Sequence, residues 1–166
     1  MKNRQRHLPR SRTDEVGGDL PADPYQEKGK PGAQASCPDC GAVFRRGRWA
    51  WGEASAKAQA HLCPACLRTR EQAPAGYVYL GGSFLADHKE ELLHLLKNEE
   101  ALEKSRHPLQ RVMQLRDKGT EVEVTTTDVH LARRLGEALH HAYQGTLAMR
   151  NTPGEYSVRV YWKRAS

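Results

Sequence analysis

The alternation of hydrophobic and polar positions divides the chain near residue 76, and the regular patterning lies beyond that point. Tyr77-Val78-Tyr79-Leu80 reads as a short strand closed by Gly81-Gly82. Asp87, with Glu90 three residues later, forms a capping box ahead of Leu92, Leu93, Leu95 and Leu96, which predicts a helix reaching about Asn98. Pro108 suits the first turn of another helix, along which Leu109, Val112, Met113 and Arg116 would lie before Gly119 stops it. Glu121-Val122-Glu123-Val124-Thr125 alternates with period two and predicts a strand with one buried face. Thr127 or Asp128 then caps a helix whose apolar stripe is Leu131, Leu135, Ala138, Leu139 and Ala142, ended by Gly145. Thr146 to Met149 reads as a strand, and Asn151-Thr152-Pro153-Gly154 as a turn. In the final strand Tyr156, Val158, Val160 and Trp162 alternate with Ser157, Arg159, Tyr161 and Lys163. The fold class predicted for 77–166 is therefore α+β: a two-layer sandwich in the order β-α-α-β-α-β-β, with a C-terminal β-hairpin.

The first 35 residues show no such periodicity. They hold Pro9, Pro21, Pro24, Pro31 and several glycines with few apolar side chains, and so read as a disordered tail of mixed charge. Lys2, Arg4, Arg6, Arg10 and Arg12 make its beginning a basic arm. Residues 36–73 form a cysteine-bearing module, and Pro74-Ala75-Gly76 a linker.

Composition narrows the class. Hydrophobic residues are 38% and charged residues 28% of the 166, with no apolar run near the roughly 20 residues needed to span a bilayer. The basic N-terminus lacks the apolar segment of a signal peptide, so a cytoplasmic protein without a membrane partner is expected. Net charge is +6, with the excess around the cysteines and in the tail, which favours a polyanionic partner.

Cys37-Pro38-Asp39-Cys40-Gly41 is a metal knuckle, two thiols two residues apart with a glycine permitting the tight turn. Cys63-Pro64-Ala65-Cys66 repeats the spacing after 22 intervening residues. Cys37, Cys40, Cys63 and Cys66 together predict one structural Zn²⁺ in a zinc ribbon, because four thiolates suit a tetrahedral, redox-inert ion. Four thiolates also hold iron–sulfur clusters, and His61 stands two residues before Cys63 as an alternative donor. A site closed by four protein ligands favours structure over catalysis. No P-loop, nucleophile elbow or dinucleotide fingerprint is present, and the expectation is a non-enzymatic protein. Thr125-Thr126-Thr127-Asp128 reads as a strand end followed by an N-cap, with an anion site as the alternative.

Between the knuckles, Arg45, Arg46 and Arg48 interleave with Phe44, Trp49 and Trp51, and Arg68 and Arg70 follow the last cysteine. These arginines are candidate RNA contacts, with the aromatics divided between stacking on bases and packing within the module. On the last strand Arg159, Tyr161 and Lys163 share one face and form a second candidate RNA surface.

Cys63-Pro64-Ala65-Cys66-Leu67-Arg68, taken with the earlier Cys-x-x-Cys-Gly, resembles the N-terminal zinc-ribbon region of the nonsense-mediated-decay-type export adaptors of the large ribosomal subunit, and small bacterial relatives of that region. The resemblance covers residues 36–72 by motif. It implies that the four cysteines are ligands and that the partner is a ribosome or another structured RNA. The alternative expectation is a protein-interaction adaptor, in which helices at 87–116 present the working surface and the ribbon is a scaffold.

Overall fold

The computed structural model describes residues 14–16 and 19–166. Among the described residues, ten strands and four helices follow the chain as β1 (Asp14–Val16), α1 (Pro24–Lys28), β2 (Ala35–Ser36), β3 (Val43–Arg45), β4 (Arg48–Ala50), β5 (Gln59–Ala60), α2 (Pro64–Glu71), β6 (Gly76–Gly81), α3 (Ser83–Arg106), β7 (Val112–Asp117), β8 (Val122–Thr126), α4 (Val129–Tyr143), β9 (Thr146–Asn151) and β10 (Val158–Lys163). The architecture is α+β, as the patterning predicts. A small sheet of order β4-β3-β2-β5 carries the cysteine module, and a six-stranded sheet of order β1-β9-β10-β6-β8-β7 forms the larger body.

Period-two alternation sets the two faces of the larger sheet. Val158, Val160 and Trp162 of β10, with Val78 and Leu80 of β6 and Val122 and Val124 of β8, are buried in one core cluster. The helices close that face, with Leu131, Leu135 and Leu139 of α4 and Leu92 and Leu96 of α3 buried in the same cluster. α4 begins as expected, the Asp128 carboxylate accepting from the Leu131 amide at 2.9 Å. Registry places Arg159 beside Tyr77 and Tyr161 beside Tyr79 on the opposite face. On the other side of β10, Arg150 pairs with Arg159 and Thr146 with Lys163.

Three expectations are corrected. The helix predicted from Pro108 is instead β7, an edge strand paired antiparallel with β8. Leu109, Val112, Met113 and Arg116 fit helical spacing, but the tight turn after Asp117, where the Gly119 amide donates to the Asp117 carboxylate at 2.9 Å, folds 112–126 into a hairpin. The surface expected from helices at 87–116 therefore exists only in part. The first helix starts at Ser83 rather than Asp87 and bends at His88, where φ is −126° and ψ 16°. Its added first turn buries Phe84 and Leu85.

The third correction concerns the tail. β1 pairs in parallel with β9, and α1 lies against α2. Residues 20–36 have structure because they supply partners: Leu20 packs on the main core, Asp23 pairs with Arg68, and the Tyr25 hydroxyl donates to Glu71. The basic arm at Lys2, Arg4, Arg6, Arg10 and Arg12 lies outside the described residues. Among the described residues no helix is long and apolar enough to cross a membrane.

Candidate metal centre

The first cysteine pair forms the loop its glycine predicts. The Gly41 amide donates to the Cys37 carbonyl at 2.9 Å, and the Cys37 amide to the Ala42 carbonyl at 2.8 Å. Gly41 takes φ of 80° in otherwise open space, so backbone conformation alone requires glycine there. The second pair is built differently from the first. Cys63 is the N-cap of α2, Pro64 occupies its first turn, and the Cys63 sulfur accepts from the Cys66 amide at 3.4 Å. Cys63 and Cys66 therefore stand one helical turn apart at a positive helix end, which favours thiolates.

All four sulfurs lie within 4.8 Å of one another, and Cys37, Cys63 and Cys66 are buried. The Cys40 and Cys63 sulfurs are 3.8 Å apart. A disulfide would need about 2.05 Å, whereas a tetrahedral ion with metal–sulfur bonds of about 2.3 Å sets neighbouring sulfurs about 3.8 Å apart. The cluster thus fits one metal ion held by four thiolates. His61 is not part of it, because its Nε2 lies 3.3 Å from the Lys28 carbonyl oxygen.

One residue of the site carries no sequence signal. Arg111, in the loop between α3 and β7, donates through Nη1 to the Cys66 sulfur at 3.2 Å, and through Nη2 to Cys40 at 3.2 Å and Cys63 at 3.3 Å. Its Nε donates to the Pro108 carbonyl at 2.8 Å, and its amide to the Thr127 hydroxyl at 3.0 Å, which fixes the guanidinium over the sulfurs. Four thiolates around a divalent cation carry two net negative charges, and Arg111 neutralises part of them in a half-buried setting. The hydrogen bond between Cys40 and Cys63 pushes the Cys40 thiol down and, with burial, pushes Cys63 up. Burial likewise raises Cys66. A metal must displace these retained protons, so its affinity falls on acidification.

The sequence-predicted RNA contacts separate into distinct environments. Arg45, Arg46 and Arg48 are exposed at the β3–β4 hairpin, where Arg46 and Gly47 take φ of 51° and 78° in a two-residue turn. Arg70 is exposed but grips Asp39 through two bonds of 2.8 and 2.6 Å, clamping α2 to the first knuckle. That guanidinium holds the Asp39 carboxyl below its usual range. Arg68 is corrected: it is 4% exposed, donates to Asp23 at 2.7 Å and to the Ala73 carbonyl at 2.9 Å, and lies 4.2 Å from the Tyr25 ring centre. It is a structural cation and reaches no external phosphate. Arg159, Tyr161 and Lys163 do lie on one face, as expected.

Of the aromatics between the knuckles, Phe44 and Trp49 pack at 5.4 Å, and the Trp49 indole donates to the Gly29 carbonyl at 3.0 Å. The Trp51 indole donates to the Lys104 carbonyl at 2.7 Å and so joins the ribbon to α3. Leu109 packs against the cysteine cluster. With Arg111 and Trp51, this makes the centre part of the contact between the two bodies. At Thr125 to Asp128 the bland reading describes what is seen: the Thr126 hydroxyl donates to the Asp128 carbonyl at 2.7 Å, and Asp128 caps α4.

No family model, curated protein or solved structure matches the chain.

Proposed function

We propose that the chain is a non-enzymatic, zinc-stabilised protein that associates with RNA, ribosomal or otherwise structured, in the cytoplasm. The observation that carries this reading is the arginine hairpin. Arg45, Arg46 and Arg48 are exposed within four residues, and among the described residues none of them forms an ion pair. Like charges crowded on a tight turn repel one another, and a polyanion relieves that repulsion while releasing its own counterions. A cleft of about 570 Å³ beside the hairpin adds Lys30 and Arg106 to the basic surface. Zinc is the ion that four thiolates in a closed tetrahedral site suit best, and there it contributes folding energy to a module with little core of its own. The resemblance of residues 36–72 to the ribosomal export adaptors supports the same partner class.

Purification without nuclease, followed by metal analysis and recovery of bound nucleic acid, tests the reading. One zinc per chain with RNA released by added salt is expected, and charge reversal of Arg45, Arg46 and Arg48 to Glu should reduce the RNA recovered at least tenfold. One zinc with no nucleic acid, and a salt-insensitive protein partner instead, would favour the adaptor alternative.

A further inference from the structure

We infer that the open face of the six-stranded sheet is a second contact surface, one that takes unpaired bases of single-stranded RNA; this rests on the RNA reading above. Three tyrosines form a continuous series on that face. The Tyr79 and Tyr161 rings are 5.0 Å apart and 15° from parallel, and Tyr77 and Tyr79 are 6.5 Å apart and 6° from parallel. The Arg159 guanidinium sits 4.7 Å from the Tyr77 ring centre. Such a series has no role in the core, because α3 and α4 bury the other face. Tyr161 is 40% exposed, one of three large hydrophobic side chains so exposed among the described residues.

Charge selects the occupant. Arg116, Arg150, Arg159 and Lys163 project from this face, and none of them has a carboxylate partner among the described residues. The Glu123 carboxylate on the same face is held by Lys118 at 2.6 Å. Beside Tyr161, a cleft of about 640 Å³ is lined by Tyr79, Arg150 and Lys163, with Glu121 its single carboxylate, within the range of about 300–1,000 Å³ that small ligands occupy. Ring faces with unpaired cations at their margins suit bases stacked between phosphates, and paired bases in a duplex cannot reach the rings. A protein partner would be met by apolar side chains rather than by four uncompensated cations.

The test uses the full chain, zinc-loaded, with a fluorescein-labelled mixed-sequence RNA dodecamer as single strand and as perfect duplex, read by anisotropy across a salt series. The single strand should bind more tightly than the duplex. Tyr161→Ala should weaken single-strand binding by about tenfold, Tyr161→Phe should restore it, and Arg159→Ala should lower the salt slope by about one. Metal content and melting of each variant check that the fold is intact, which the exposure of Tyr161 favours. Wild-type binding left unchanged by Tyr161→Ala and Arg159→Ala would overturn this surface and leave the arginine hairpin standing. Duplex preferred over single strand would overturn it equally. No binding of either RNA at low salt would remove the RNA reading itself and give this face to a protein partner.

Discussion

The cysteine module and the α+β body solve the same problem by opposite means. The module's buried cysteine cluster is Cys37, Ala42, Cys63, Ala65 and Cys66, so three of its five members are candidate ligands. The body buries a long series of branched and aromatic side chains from six elements, Trp162 and Leu139 among them. One region gathers four thiols that could hold a metal ion, with charged contacts around them; the other is held by removal of apolar surface from water. A short stretch without a core can therefore be rigid, provided one ion and a few exact hydrogen bonds replace the missing area. Stability in the two regions should respond to different perturbations, and this separation can be tested.

The largest effect is expected from the ligands. Cys66→Ser, or chelation of the wild type, should abolish stoichiometric metal and remove on the order of 10 kcal/mol of binding free energy available to the ribbon. Tryptophan fluorescence can watch the two regions apart. Trp49 and Trp51 sit on the ribbon, while Trp162 is 1% exposed in the body. Red-shifted emission from the first two with Trp162 unchanged is expected in single-tryptophan variants, and simultaneous loss of all three signals would show that the regions fold as one. The metal should also be lost more readily as pH falls, since protons compete for the Cys63 sulfur, which its hydrogen bond to Cys40 favours protonated, and for the Cys66 sulfur, which burial does.

Next in size is the core of the body. Leu135→Ala, at a fully buried position of α4, should cost about 2–5 kcal/mol by denaturant unfolding while metal stoichiometry stays at that of the wild type. Metal loss in that variant would break the comparison. The smallest of the three sharpens it. Arg111→Met removes three donors from the sulfurs and should cost about 1.5–3 kcal/mol. It should retain the metal but release it faster to a chromogenic chelator. An unchanged release rate would mean that Arg111 is a bystander to the centre.

How much of this was legible depended on whether the deciding interaction was local. The four cysteines, the α4 stripe and the alternation of β10 were readable because each carries its signal within a few residues. β7 was misread because Leu109, Val112 and Met113 satisfy a helical spacing, and the pairing with β8 that overrides it depends on the turn at 117–121. Arg68 and Arg70 look alike in sequence, two residues apart on one helix. Partners elsewhere in the chain, Asp23 at 45 positions earlier among them, separate a buried cation from an exposed one. Arg111 offered no signal, since nothing in Pro108-Leu109-Gln110-Arg111 announces that it will meet sulfurs from residues 40 to 66. A charge argument alone could have asked for it: a dianionic centre that is mostly buried needs a cation nearby.

The pairing of Asp14–Val16 with Ala148–Arg150 has a consequence for how the molecule comes into being. A chain is made from its N-terminus at about 5–20 residues per second, so β1 leaves the ribosome before β9 and must wait for every element from α1 to α4 before its partner strand exists. The cysteines emerge in between and can take up their ion while the larger sheet is still incomplete. Assembly is then ordered, with the cysteine module able to form early and the β1–β9 pairing made after it. Closing a loop of that length is slow compared with forming local hairpins, and the edge of β9 stays unpaired until β1 returns to it.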